Sequence, residues 1–110
     1  MAKQFRTAYV IEKGKIHDVS ALEQYADKTV ILLSGKERDA EIAKTIRDTF
    51  LEFNPDLDVI VPTGRVISSF ILGYMMGFIT EFTVGIYKDK DYSFMRLWSR
   101  ISQRTLDGII

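Results

Sequence analysis

Apolar positions along the chain fall into two patterns, one suited to strands and one to helices. Phe5 to Glu12 (FRTAYVIE) is rich in aromatic and β-branched residues and predicts a strand. Gly14 follows within EKGK, which predicts a tight turn and a second short strand through Ile16 and Val19. Ser20 to Asp27 (SALEQYAD) predicts one or two helical turns, with Ser20 as N-cap and Glu23 three residues on. Thr29 to Leu33 (TVILL) has no polar alternation, as expected of a strand covered on both faces. Ser34 and Glu37 have capping-box spacing, so a helix is expected to start at Ser34. Within it, Ile42, Ala43, Ile46, Phe50 and Phe53 form one apolar stripe, and charges fill the other side. Asn54-Pro55 ends it, because proline cannot continue a helix and restricts the residue before it. Leu57 to Val61 (LDVIV) predicts another buried strand, Pro62-Thr63-Gly64 a turn, and Arg65 to Phe78 an apolar helix. Glu81 to Tyr87 (EFTVGIY) predicts a third core strand, followed by the charged loop Lys88-Asp89-Lys90-Asp91. Ser93 to Arg104 reads as an amphipathic helix with Phe94, Leu97, Trp98 and Ile101 inward.

Strands alternating with helices over short links predict an α/β protein. The expected architecture is a small Rossmann-like three-layer fold, with a mostly parallel sheet and an N-terminal β-hairpin. The 110 residues suit one domain, 1–110. With 46% hydrophobic and 27% charged residues, the composition is that of a folded globule rather than a disordered chain. Cysteine is absent, which excludes disulfides, cysteine nucleophiles and cysteine-ligated metals. A metal site would have to use carboxylates, suiting only Mg or Ca, and none is expected. His17 is the sole histidine, and no GxSxG elbow accompanies it, so a serine hydrolase is not expected. Fifteen basic and fifteen acidic residues balance, nine of each in residues 1–55 and six of each in residues 56–110. No basic excess marks a nucleic-acid binder. The most apolar run, Val66 to Ile79, has 14 residues, short of the roughly 20 a membrane span needs. Met1 to Arg6 carries no apolar core of a signal peptide. The expectation is a cytoplasmic protein with no membrane partner.

In an open parallel sheet, ligands bind beyond the carboxyl ends of the strands, near helix N-termini. Two loops qualify. After TVILL come Ser34, Gly35 and Lys36: the glycine allows close backbone approach and the lysine adds positive charge. The same residues also read as a capped helix after a tight turn, and they lack the spacing of a Walker loop. The second loop is Pro62-Thr63-Gly64-Arg65, followed by Ser68 and Ser69. Its hydroxyls and guanidinium suit a sugar, phosphate or carboxylate. The serines equally read as small residues that let a helix approach the sheet.

The segment Ser69 to Tyr92 (SFILGYMMGFITEFTVGIYKDKDY) resembles the nucleoside 2-deoxyribosyltransferase superfamily. Leu72-Gly73-Tyr74 matches its LGY core, and the Phe82–Tyr87 strand and the acids Asp89 and Asp91 follow at fitting distances. Thr29 to Phe53 resembles that family's opening strand–helix unit. The resemblance places the nucleophilic glutamate just before LGY, where this chain has Ile71, and a second acid where it has Arg65. Glycosyl transfer needs a carboxylate to trap the sugar cation, and isoleucine cannot serve. The resemblance therefore implies a degenerate member, a pseudoenzyme without catalytic residues or cofactor. It would bind a nucleoside- or nucleotide-like small molecule through Ser34, Gly35, Lys36, Thr63, Gly64, Arg65, Ser68 and Tyr74.

Two further functions stay open. One is a protein–protein interaction module or small inhibitor, including a viral one, on the same fold. The other is an N-glycosidase or transferase that uses Glu81 or Asp91 instead. Gly73 and Gly77 form GxxxG, which allows close helix contact either to the sheet or to a second subunit. Met75 and Met76 read as packing residues. Trp98 between Arg96 and Arg100 reads as a core-edge residue or an exposed interaction surface. A homo-oligomer is expected, since so small a sheet has edges to cover.

Overall fold

The computed structural model describes residues 3–14, 19–76 and 81–98. Five strands, β1 (Phe5–Glu12), β2 (Ala26–Leu33), β3 (Val59–Val61), β4 (Glu81–Lys88) and β5 (Asp91–Trp98), form one sheet in the order β2-β1-β3-β4-β5. β1 pairs in parallel with β2 and β3, and β3 in parallel with β4; β5 runs antiparallel to β4. Tyr9 lies opposite Val30 on one side and Ile60 on the other. A 3-10 helix (Val19–Gln24) connects β1 to β2, α1 (Asp39–Phe50) connects β2 to β3, and α2 (Val66–Met76) leads from β3 toward β4. The fold is α/β with a mostly parallel sheet, as the alternation of elements predicts.

Pleating sends alternate residues of the central strands into two cores. Tyr9, Ile11 and Ile60 meet Ile42 and Ile46 of α1 and Leu72 of α2. Ala8, Val10, Val59 and Val61 meet Leu22 of the 3-10 helix and Tyr92 of β5. Both faces of β1 and β3 are thus covered, which is why those runs are continuously apolar. β2 carries a similar run, yet it is an edge strand, and Ile31 is exposed.

Four sequence expectations need correction. First, β1 does not form a hairpin with the segment that follows it. Its neighbours are β2 and β3, both parallel, and Val19 begins a 3-10 helix; Ile16 and His17 lie outside the described residues. Second, Ser93 to Trp98 is β-strand, not helix. Tyr92 and Phe94 turn inward while Ser93, Met95 and Leu97 face out, a period of two that the 3.6-residue spacing of Phe94, Leu97 and Trp98 masked. The deciding element is the turn: Asp89 and Lys90 have φ of 53° and 65°, as a two-residue hairpin of type I′ requires. Residues 99–104 of the expected helix lie outside the described residues. Third, α1 starts at Asp39, five residues after Ser34. Fourth, α1 and α2 share one face of the sheet, and among the described residues the 3-10 helix lies on the opposite face.

β3 has only three residues, and a polar clamp at each end fixes its register against β1. At the amino end Arg6 Nε and Nη2 donate to Asp58 Oδ1 and Oδ2 at 3.0 and 2.7 Å. Asp58 is buried and also accepts the Asn54 amide at 2.8 Å. At the carboxyl end the clamp is Glu12 and Arg65.

Candidate functional site

A strand order of 2-1-3 places a switch point between β1 and β3, whose connections lead to opposite faces of the sheet. Three chain segments converge there: the end of β1 at Glu12, the loop 34–37 after β2, and the loop 62–65 after β3. Glu12 is the centre. Its side chain is 2% exposed, and both carboxylate oxygens are engaged. Oε1 accepts the Arg65 amide at 2.9 Å and Arg65 Nε at 2.9 Å. Oε2 accepts Arg65 Nε at 3.0 Å and the Ser68 hydroxyl at 2.6 Å. The Glu12 backbone is held as well: its amide donates to Thr63 Oγ1 at 3.3 Å, and the Thr63 hydroxyl donates to its carbonyl.

Two glycines make this convergence possible. Gly64 has φ of +89°, and a β-carbon there would lie 2.5 Å from Glu12 Cβ. Gly35 has φ of +101°, and a β-carbon there would meet Glu12 Oε1 at an ordinary 3.7 Å. The turn at 64 therefore needs glycine both for its left-handed backbone and for lack of space.

The loop after β2 is built as an anion cradle, and the chain fills it itself. Glu37 Oε1 accepts the amides of Ser34, Gly35 and Lys36 at 3.0, 3.0 and 3.1 Å, and Oε2 accepts the Ser34 amide at 2.8 Å. The Ser34 hydroxyl donates at 3.1 Å. These donors hold the Glu37 carboxyl down at about 2, the Ser34 amide first among them and the other loop amides and the Ser34 hydroxyl after it, against the opposing effect of burial. The spacing that predicts a capping box is real, but it closes a free-standing turn. Arg38 takes the N-cap position of α1 without a side-chain capping bond.

Arg65 ties the two loops together. Its Nη1 donates to the Glu37 carbonyl at 2.9 Å, and Nη2 lies 3.7 Å from Glu37 Oε1. Nη2 is buried and has no hydrogen-bond acceptor. The Arg65 hydrogen bond, followed by that of Ser68, lowers the pKa of the Glu12 carboxyl in spite of burial, which acts the other way. Neither acid is prepared as a proton donor at neutral pH, since a general acid needs its pKa raised.

Of the residues expected to touch a ligand, seven are brought to this edge and divide into two layers. Thr63 and Ser68 are buried, and their hydroxyls serve Glu12. Ser34, Lys36 and Gly64 are exposed, and Gly35 and Arg65 are partly so. Tyr74 stands apart, eight residues into α2 and about 12 Å along its axis from Val66. With Ala43, Phe70 and Ile71 it lines an apolar hollow of about 370 Å³ beside α2. Ile71 also packs on the core. Glu81 lies at the start of β4, at the opposite end of the sheet, paired with Arg96 Nε at 2.8 Å. Asp91, beside the β4–β5 turn, accepts the Tyr25 hydroxyl at 2.8 Å. Neither acid joins the Glu12 cluster through any hydrogen bond or ion pair among the described residues.

Glu12 is the residue that sequence reasoning missed. An acid closing an apolar strand normally reads as its solvated end, and its partner lies 53 positions away. The available signal was the glycine-arginine pair at 64–65, which could have prompted a search for a carboxylate on the neighbouring strand. Among the described residues no group of acids and histidine is arranged to hold a metal ion, and no helix is long and apolar enough to cross a membrane. A scan against protein-family models matches none, and searches of the curated proteins and of the solved structures return no match.

Proposed function

We propose that the chain binds a nucleoside- or nucleotide-like small molecule at the carboxyl end of the sheet, without turning it over. The observation that carries this reading is the convergence of both glycine loops on Glu12 and Arg65 at the β1/β3 switch point. Such switch points are where open α/β sheets accept ligands. Ser34, Lys36, the Gly64 backbone and Arg65 are the groups that meet the ligand. Glu12, Thr63 and Ser68 hold them in place from behind. The Arg65 side chain is 35% exposed at this edge and supplies positive charge beside the ligand.

Absence of turnover is supported by the state of the acids. Glu12 is buried with all its close partners in place, and Glu37 is spent on three backbone amides. Ile71, where the resemblance puts a nucleophile, lines an apolar hollow with no polar neighbour at its wall. The homology itself belongs to this proposal and rests on Leu72-Gly73-Tyr74.

Calorimetric titration with nucleosides, nucleotides, cyclic nucleotides and ADP-ribose derivatives tests the reading. Saturable binding of at least one class is expected, weakened by Lys36→Ala, with no free base released on long incubation. No binding across the panel refutes the reading, and release of base refutes its non-catalytic part.

A further inference from the structure

α2 departs from the usual surface helix. A helix lying on a sheet buries one apolar stripe and turns charges to water, as α1 does with Asp39, Glu41, Lys44, Arg47 and Asp48. α2 reads VISSFILGYMM and contains no charge. Ser68 and Leu72 face the protein, yet the opposite side is equally apolar. Val66 is 85% exposed, Phe70 71%, Tyr74 77% and Ile67 41%. At 100° per residue these positions and Gly73 fill one continuous arc of about 120°. Phe70 lies in the middle of it and Gly73 at one edge, where a β-carbon would meet nothing. No intrachain contact therefore requires glycine at a helical position where it is unfavourable.

A second exposed apolar patch lies on the same side of the sheet. Cross-strand pairing sets Phe82 against Leu97 and Val84 against Met95, and Phe82 packs on the core beneath α1 and α2. On that same face Ile86, Met95 and Leu97 are exposed at 39, 49 and 39%. Along this face of β4 and β5 the charged positions are Lys88 and Asp91, of opposite sign and beside the turn.

We infer that this face is the contact between two copies of the chain, related by a two-fold axis near Phe70 and Gly73. A two-fold contact sets each residue against the same surface on its partner, so like charges at the axis repel. The charge-free outer side of α2, on a chain in which 27% of residues are charged, is the kind of surface that meets its own copy without repulsion. Gly73 permits close backbone approach there. The hollow lined by Ala43, Ile71 and Tyr74 takes an aromatic ring of the second copy. With aromatic side chains burying about 150–250 Å² each, the exposed groups offer roughly 700 Å² per copy, or about 1,400 Å² in all, within the range of specific interfaces. This inference does not depend on the ligand reading.

Sedimentation equilibrium of the full chain over a wide concentration range tests it. A reversible monomer–dimer equilibrium is expected for the wild type. Phe70→Glu sets two carboxylates against each other across the axis and should weaken association at least tenfold while leaving circular dichroism unchanged. Gly73→Gln is the second variant: it fills open space, favours helix within the monomer, and should also weaken the dimer at least tenfold. A wild-type chain that stays monomeric at every concentration overturns the inference, whatever else covers the face, residues 99–110 included. A dimer indifferent to both substitutions overturns it too and places the contact elsewhere, such as along the β2 edge.

Discussion

The two positive-φ glycines that frame Glu12 provide an internal control for how tightly the site is built. Gly35→Ala and Gly64→Ala impose the same kind of backbone penalty, since φ is +101° at one and +89° at the other. An L-residue forced there costs about 1–2 kcal/mol. At Gly35 nothing more is added, because the new methyl sits 3.7 Å from Glu12 Oε1. At Gly64 the methyl would lie 2.5 Å from Glu12 Cβ and 2.6 Å from Oε1. Cβ is fixed to the strand backbone and cannot swing aside, so β1 and the 62–65 loop must separate. Overpacking of that kind costs about 1–3 kcal/mol. The sum for Gly64→Ala is about 3 kcal/mol, against about 1.5 for Gly35→Ala. For a domain of this size each kcal/mol lowers Tm by roughly 4–8 °C. Urea unfolding of the two variants, with m unchanged, gives the comparison directly. Equal losses, or a smaller loss at 64, would mean that the loop does not press on Glu12 and that the convergence is not a rigid platform.

Three further outcomes are expected. Glu12→Gln leaves the Arg65 guanidinium without its buried counter-charge and is expected to lower stability by about 2–4 kcal/mol at neutral pH, read from the urea midpoint. Because the wild-type Glu12 pKa is lowered on folding, its contribution is present above its ordinary 4.5 and is lost as the pH falls through the folded value; the acid limb of the wild-type stability curve should be shallower in the variant. Glu37 follows the same sign over a window from 4.5 down to about 2, so its side-chain carbonyl resonance should titrate well below that of an exposed glutamate, and an ordinary midpoint would mean that the cradle is not formed in solution. Lys90→Gly relieves a residue at φ 65° in the type I′ turn and should stabilise the hairpin by about 0.5–1 kcal/mol; a loss instead would argue against that turn geometry.

How much of this was legible depended on whether local pattern and tertiary context agreed. FRTAYVIE, the VIV of LDVIV, and EFTVGIY read as strands and are strands, because central strands of a parallel sheet need apolar side chains on both faces. TVILL carries the same pattern at an edge, where nothing local tells half-covered from fully covered. SFMRLW satisfied both a helical and an alternating reading, and pairing with β4 decided it. Ser34 and Glu37 had the right spacing for a cap, but Glu37 collects the amides of the loop instead of opening a helix. The loops on either side of the switch point were found because glycine and arginine are conspicuous there. Their common centre was not, since the contact between Glu12 and Arg65 spans 53 positions and leaves no periodic trace.

The charge state of the edge bears on which ligand it suits. Sequence alone suggested two basic, glycine-bearing loops and so an anionic guest. Folding sets a carboxylate into each: Glu12 against Arg65, and Glu37 inside the amide cradle. The two are not equivalent. Glu12 is 2% exposed and held from three sides, whereas the Glu37 side chain is 19% exposed and bound mainly by one short loop. A phosphate seeking those amides must displace Glu37, and the cost of displacing a carboxylate held down at about 2 counts directly against its affinity. A sugar hydroxyl or a base carbonyl needs no such exchange. A sugar hydroxyl can donate to the outer edge of Glu37 while both loops stay closed. For the ligand proposed above, the uncharged part of a nucleoside is then the group this edge suits, with Lys36 as the exposed cation of the loop for a phosphate placed outside the cradle.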